Sequence, residues 1–195
     1  MLVLSPLSAW YLPRLGLRLV VLSGMILLSA GLLCLRLVHL DSSYWGIAWP
    51  LLVVSTGIGI FTAPTTSAIM TSTPDDKQGV ASAVNDTTRE IGAALGIALT
   101  GSLLASGYSQ NILATLGAFP PMLRDAAHGS LAGATAAAAR MGPAAAPLLD
   151  AAKLAFLHAM QSTLLVLALI TAAAGVVIAF WTPGRDRSPL GRHRK

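Results

Sequence analysis

Charge is scarce in this sequence: 13 lysines and arginines and 8 aspartates and glutamates make up only 11% of 195 residues. A soluble domain carries about 25% charged residues, so these ions are too few to cover a water-facing surface, which argues against a soluble enzyme. Disorder is excluded, because it needs low hydrophobicity and 54% of this chain is hydrophobic. Cysteine is nearly absent. The single Cys34 rules out an internal disulfide, a cysteine zinc site and an iron–sulfur site. His39, His128, His158 and His193 are scattered without ligand spacing, and no Ser/His/Asp or Cys/His set can be assembled. The residues give no case for catalysis, a metal or a cofactor.

What the sequence has instead is apolar residues in long runs, with a mean hydropathy of +0.69. A helix needs about 20 mostly apolar residues to cross a bilayer. Residues 19–38, 46–70, 79–107 and 154–181 meet that requirement. Tyr44, Trp45 and Trp49 flank the second of these as an interfacial aromatic cluster, and Trp181 closes the last. Residues 1–12 are apolar but too short to span and are interrupted by Pro6, so they read as the end of a span whose beginning is missing. They are no secretory signal, because Arg14 and Arg18 follow the apolar stretch. The expected architecture is an all-α membrane helix bundle of about four crossings, with the lipid bilayer as solvent.

Basic residues set the expected orientation. Arg14 and Arg18 in loop 13–18, Lys77 in the short link, and the tail 182–195 with Arg185, Arg187, Arg192, Arg194 and Lys195 fall on one side, taken as cytoplasmic. The bilayer is then the cell membrane. The tail lacks interleaved aromatics and a folded domain, which argues against nucleic acid. The stretch 108–153, rich in Ala, Gly and Pro, reads as a long extracytoplasmic loop, with 134–140 as a short surface helix.

Three motifs stand out. Gly16 permits a tight reversal between helices, held at the cytoplasmic face by Arg14 and Arg18. Gly57, Gly59 and Pro64 sit inside an apolar run without a preceding strand, so they form no dinucleotide fingerprint. Glycines and a proline there allow close helix approach and a kink, serving either plain packing or conformational change. On a helix, Asn85, Arg89, Gly92, Gly96 and Thr100 share one face, and Gly92/Gly96 form a small-residue seam. Counted from the start of its span, Arg89 lies roughly 15 Å inside. That depth calls for a cavity and a partner, with Asp86 the nearest for an ion pair. Alternatively the helix starts well outside the bilayer and its charges stay hydrated. Glu90 points away from the seam and reads as a surface residue.

In this order and spacing, the segments resemble the C-terminal end of a major facilitator superfamily transporter, in its fourteen-span drug:proton antiporter branch. The run from Pro6 through Arg14, Gly16 and Arg18 is similar to that family's cytoplasmic loop motif, although Pro13 stands where the family usually has an acid. The Gly57–Pro64 span, the short link at 73–79, the Asn85–Gly96 span, a long external loop and one final span complete the likeness. The resemblance implies multidrug efflux, with hydrophobic or cationic substrates exchanged for protons once an N-terminal half is supplied. The first-half spans are absent, so the chain alone is not expected to transport, whether it is a fragment, a truncated gene product or half of a split transporter. The alternative is a small non-transporting membrane protein that binds another helix bundle or anionic lipid.

Overall fold

The computed structural model describes residues 4–117, 121–141 and 145–181. Six α-helices and one 3-10 turn account for them: α1 (Leu4–Leu35), α2 (Tyr44–Thr71), the turn Asp75–Lys77, α3 (Gln78–Leu116), α4 (Pro121–His128), α5 (Leu131–Met141) and α6 (Ala146–Trp181). Four of these helices, counting α1 from Gly16, are long and apolar enough to cross a membrane. Their outer faces carry Leu51, Leu52, Leu95, Ile97, Leu169 and Val177, all exposed. Contiguous apolar surface on that scale suits hydrocarbon and not water. The chain is an all-α, multi-pass membrane bundle.

α1 is broken at Gly16, whose φ of 77° lies in the left-handed region. An L side chain is disfavoured there, while glycine adopts it freely. The expected loop 13–18 is therefore reduced to a one-residue interruption, with helix on both sides. A single left-handed residue ends the hydrogen-bond ladder without further loop residues.

α1 and α2 pack antiparallel through glycines. A Cβ on Gly57 would lie 2.6 Å from the Leu28 backbone nitrogen and 2.9 Å from the Gly24 carbonyl oxygen. One on Gly31 would lie 2.8 Å from the Val54 nitrogen. The two backbones touch, as small residues permit where lipid offers no hydrophobic drive to association. Around buried Pro64, the hydroxyls of Thr62, Thr65 and Thr66 donate to the carbonyls of Ile58, Phe61 and Thr62.

α6 lies against the other side of α1. The buried Ser29 hydroxyl donates to the Ala168 carbonyl at 2.9 Å, and the Gln161 amide donates to the Val38 carbonyl at 3.2 Å. The second half of α3 packs antiparallel on α6, with Gly107 against Ala159.

Within the stretch expected as a loop with a short surface helix at 134–140, most of the described residues are helical, in the end of α3, in α4 and α5 and in the start of α6. Its core joins Tyr108, Ile112 and Leu116 of α3 to Ala127, Ala134 and the α6 residues Leu148, Ala152, Ala155 and Ala159. The Tyr108 hydroxyl donates to the Ala127 carbonyl at 2.9 Å, and Ser130 Oγ caps α5 by accepting from the Gly133 amide. Alanine is the strongest helix former, so a segment too weakly apolar to insert still folds when capped and given a face to cover. At 11 residues, α5 is far too short to span.

Glycine contacts separate the helices by sensitivity. Gly57→Ala should destabilise the bundle by about 1–3 kcal/mol, as overpacking does. Gly92→Ala meets nothing within 4 Å and should be neutral or stabilising by up to about 1 kcal/mol, from helix propensity. Denaturant unfolding in detergent, followed by circular dichroism, measures both; equal losses at the two positions would contradict this packing.

Candidate functional site at the uncovered face of the third helix

The packing contacts fix a common register. On α1 and α2 the close pairs are Gly31 with Val54 and Gly24 with Phe61. On α1 and α6 they are Val38 with Gln161, Ser29 with Ala168 and Met25 with Gly175, and the Arg18 guanidinium carbon lies 5.9 Å from the Phe180 ring centre. Twenty-one residues separate Ala159 from Phe180, and counting twenty-one back from Gly107 on α3 reaches Asp86. That interval spans roughly 31 Å of helix, close to the thickness of the hydrocarbon core. One end of the bundle is thus marked by Arg18, Phe180 and Asp86, the other by Val38, Gln161 and Gly107. The α2 end gives an independent check: Ile69, opposite Gly16 in the α1–α2 register, shares a groove with Val84 and Asn85.

In this register Arg89 stands three residues, about 4.5 Å along the helix, from the Asp86 level, which favours the alternative of a helix whose start projects past the apolar span. α3 begins at Gln78, so its first two turns project past that boundary. Asp86 and Arg89 are both exposed and form no ion pair; the ion pair found among the described residues is Lys153 with Asp150, at 3.8 Å. Within reach of water each charge is hydrated, and the pairing that a deep site would demand is unnecessary.

The rest of the stripe is geometrically coherent. Asn85, Gly96 and Thr100 are half-buried, Gly92 is exposed, and the Thr100 hydroxyl donates to the Gly96 carbonyl at 2.7 Å. Gly96 and Thr100 line a shallow concavity with Ala93, Ile97 and Gly101. A Cβ on Gly92, Gly96 or Gly101 would meet nothing within 4 Å. α3 is held at both ends, by α2 at its start and by α6 beyond Gly107, while its middle stands clear. Only 6% of its most apolar stretch is buried, against 28% in α1.

Gly57, Gly59 and Pro64 are all buried on α2, with Gly57 against the α1 backbone, apart from the α3 stripe. Gly16 and Arg18 lie at the Arg18 boundary, Arg14 lies on the helical segment before the break, and the basic tail falls outside the described residues. Gly24 and Gly31, spaced two turns apart on α1, are the packing residues that sequence reasoning missed. Their seven-residue spacing was the available signal. Gly175, against Met25, was equally unmarked.

A bundle of antiparallel lipid-facing helices, with one span carrying an uncovered polar and small-residue face, defines a polytopic membrane protein. Comparison with known proteins identifies the class. The family profile described as Major Facilitator Superfamily matches residues 1–97. The multidrug efflux pump LfrA of Mycolicibacterium smegmatis is 31% identical over 157 residues, covering 80% of this chain and 31% of that protein. The methyl viologen resistance protein SmvA of Salmonella typhimurium is 35% identical over 112 residues, covering 55% of this chain and 22% of that one. The multidrug resistance protein Stp of Mycobacterium tuberculosis is 32% identical over 110 residues, covering 56% and 20%. No solved structure matches the chain. The chain belongs to the Major Facilitator Superfamily, and it spans between a fifth and a third of the length of these relatives.

A charge near the boundary contributes little to folding. Arg89→Ala and Asp86→Asn should each change unfolding free energy in detergent by less than about 0.5 kcal/mol, as surface substitutions do. A loss above about 2 kcal/mol for either would reveal a buried partner instead.

Proposed function

We propose that the chain is the C-terminal portion of a multidrug efflux transporter of this superfamily, exporting hydrophobic or cationic compounds in exchange for protons. The efflux and resistance functions for which LfrA, SmvA and Stp are named support the efflux reading. The cluster of Arg14, Arg18, Lys77 and the tail supports a cytoplasmic C-terminus in the cell membrane.

The observation that carries the reading is the uncovered middle of α3. Transporters of this kind alternate access by rocking two repeat-built halves about a site near the bilayer midplane. In this reading the face of Asn85, Arg89, Gly92, Gly96 and Thr100 lines or abuts the cavity between halves. Its glycines admit close approach, and the Asn85 amide supplies polarity near one mouth. The Gly57–Pro64 segment, packed on α1, supplies the rigid wall behind it. Arg14, Gly16 and Arg18 hold the cytoplasmic end. By itself the chain does not transport, since one set of helices cannot present a site to both sides.

The test joins the chain to the N-terminal part of LfrA and follows efflux of a cationic dye from cells. Efflux above the vector background is expected only with both parts present. Gly96→Leu should return it to background at unchanged membrane level, since the side chain would fill the inter-half face. Absence of efflux with both parts present in the membrane would contradict the proposal.

A further inference from the structure

A second feature lies at the Arg18 boundary and shares Asn85 with the face assigned to transport. Where α2 ends and α3 begins, the two helices enclose an open groove of about 480 Å³. Ile69, Val80, Ala81 and Val84 give it an apolar floor. Its polar rim has a particular chemistry. The Thr73 hydroxyl, just past α2, and the Thr88 hydroxyl of α3 are already spent on the carbonyls of Ile69 and Val84. The Lys77 ammonium and the Asn85 amide remain as donors, and neither side chain is hydrogen-bonded or ion-paired among the described residues. No acidic side chain lines the groove. The neighbouring Asp75 faces the Gln78 amide, 3.1 Å away.

The groove therefore offers one cation and one neutral donor at the mouth of an apolar trough, with no competing anion. In the shared register its level is that of Arg18 and Phe180, about one hydrocarbon thickness along the bundle from Gly107. A free inorganic anion would leave the trough unfilled, and a zwitterionic headgroup would bring a cation toward Lys77. We propose that this groove seats one anionic phospholipid, its phosphate against Lys77 and Asn85 and an acyl chain along Ile69, Val80 and Val84. The charge complementarity commits the site to an anionic lipid, and the level commits it to the leaflet on the Arg18 side.

The test is native mass spectrometry of the full 195-residue chain released from mild detergent, with phosphatidylglycerol and phosphatidylcholine offered in equal amounts. Phosphatidylglycerol should be retained in preference, and Lys77→Gln should lower its retention about fivefold, the share of one surface lysine. Val84→Trp, which fills the trough from an exposed position, should lower it as well. Lys153→Gln, at the far end of the bundle, should leave retention unchanged, and the basic tail is common to every variant. Equal retention of the two lipids, equal loss in Lys77→Gln and Lys153→Gln, or full retention in Val84→Trp would each overturn the site.

Discussion

The backbone contact between α1 and α2 is the constraint on which the remaining geometry rests. In lipid, hydrophobic burial gives no reason for one apolar helix to prefer another, so association depends on close packing and polar links. Gly24, Gly31 and Gly57 bring two backbones together at distances that no side chain allows. That contact has a single register, because moving either helix along its axis would set a larger side chain against the opposing backbone. α6 then adopts the same register through the Ser29 and Gln161 hydrogen bonds, and α3 inherits it from α6 at Gly107. The level assigned to every polar residue on α3 follows from this sequence of contacts.

Two consequences give the third helix its character. It is longer than the bilayer requires, so one end reaches into the helical cap with α4 and α5 while the other projects beyond Arg18. It is also fixed only at those ends, which leaves Gly92 to Gly101 without a neighbour. A helix that exposes glycine and threonine to hydrocarbon gains little there, because such residues serve close helix contact. Membership of the Major Facilitator Superfamily supplies a reason for the vacancy in packing: these proteins are built from halves, and the chain corresponds to a minor share of its relatives' length.

Much of the fold was legible in the sequence, because apolar run length and lipid thickness are directly comparable. The four spanning helices and the all-α class needed only that comparison. Gly57 and Pro64 were marked by being unusual inside an apolar run; both are buried, and Gly57 lies against the α1 backbone. Gly24 and Gly31 were no less important but lay in a uniformly apolar run where their seven-residue spacing was the one signal. The helical cap was legible only in part, as the short surface helix at 134–140. Alanine gives no strong period of hydrophobicity, so reading the full length of α5 and the presence of α4 depended on knowing a partner face. The level of Arg89 was left between two alternatives in the sequence, because hydropathy locates an apolar stretch and not a helix start. Only contacts from neighbouring helices show that two turns of α3 precede the boundary.

Depth is also where the account can be tested most directly. In a Cys34→Ser background, nitroxide labels placed singly at positions 18, 69, 86 and 89 can be reconstituted in bilayers and compared by power saturation with oxygen and a polar nickel reagent. The shared register predicts that labels at 18, 69 and 86 report one headgroup-level depth, with 89 only about 4.5 Å deeper. A label at 89 reporting the bilayer midplane, or one at 86 far from the level of 18 and 69, would contradict it.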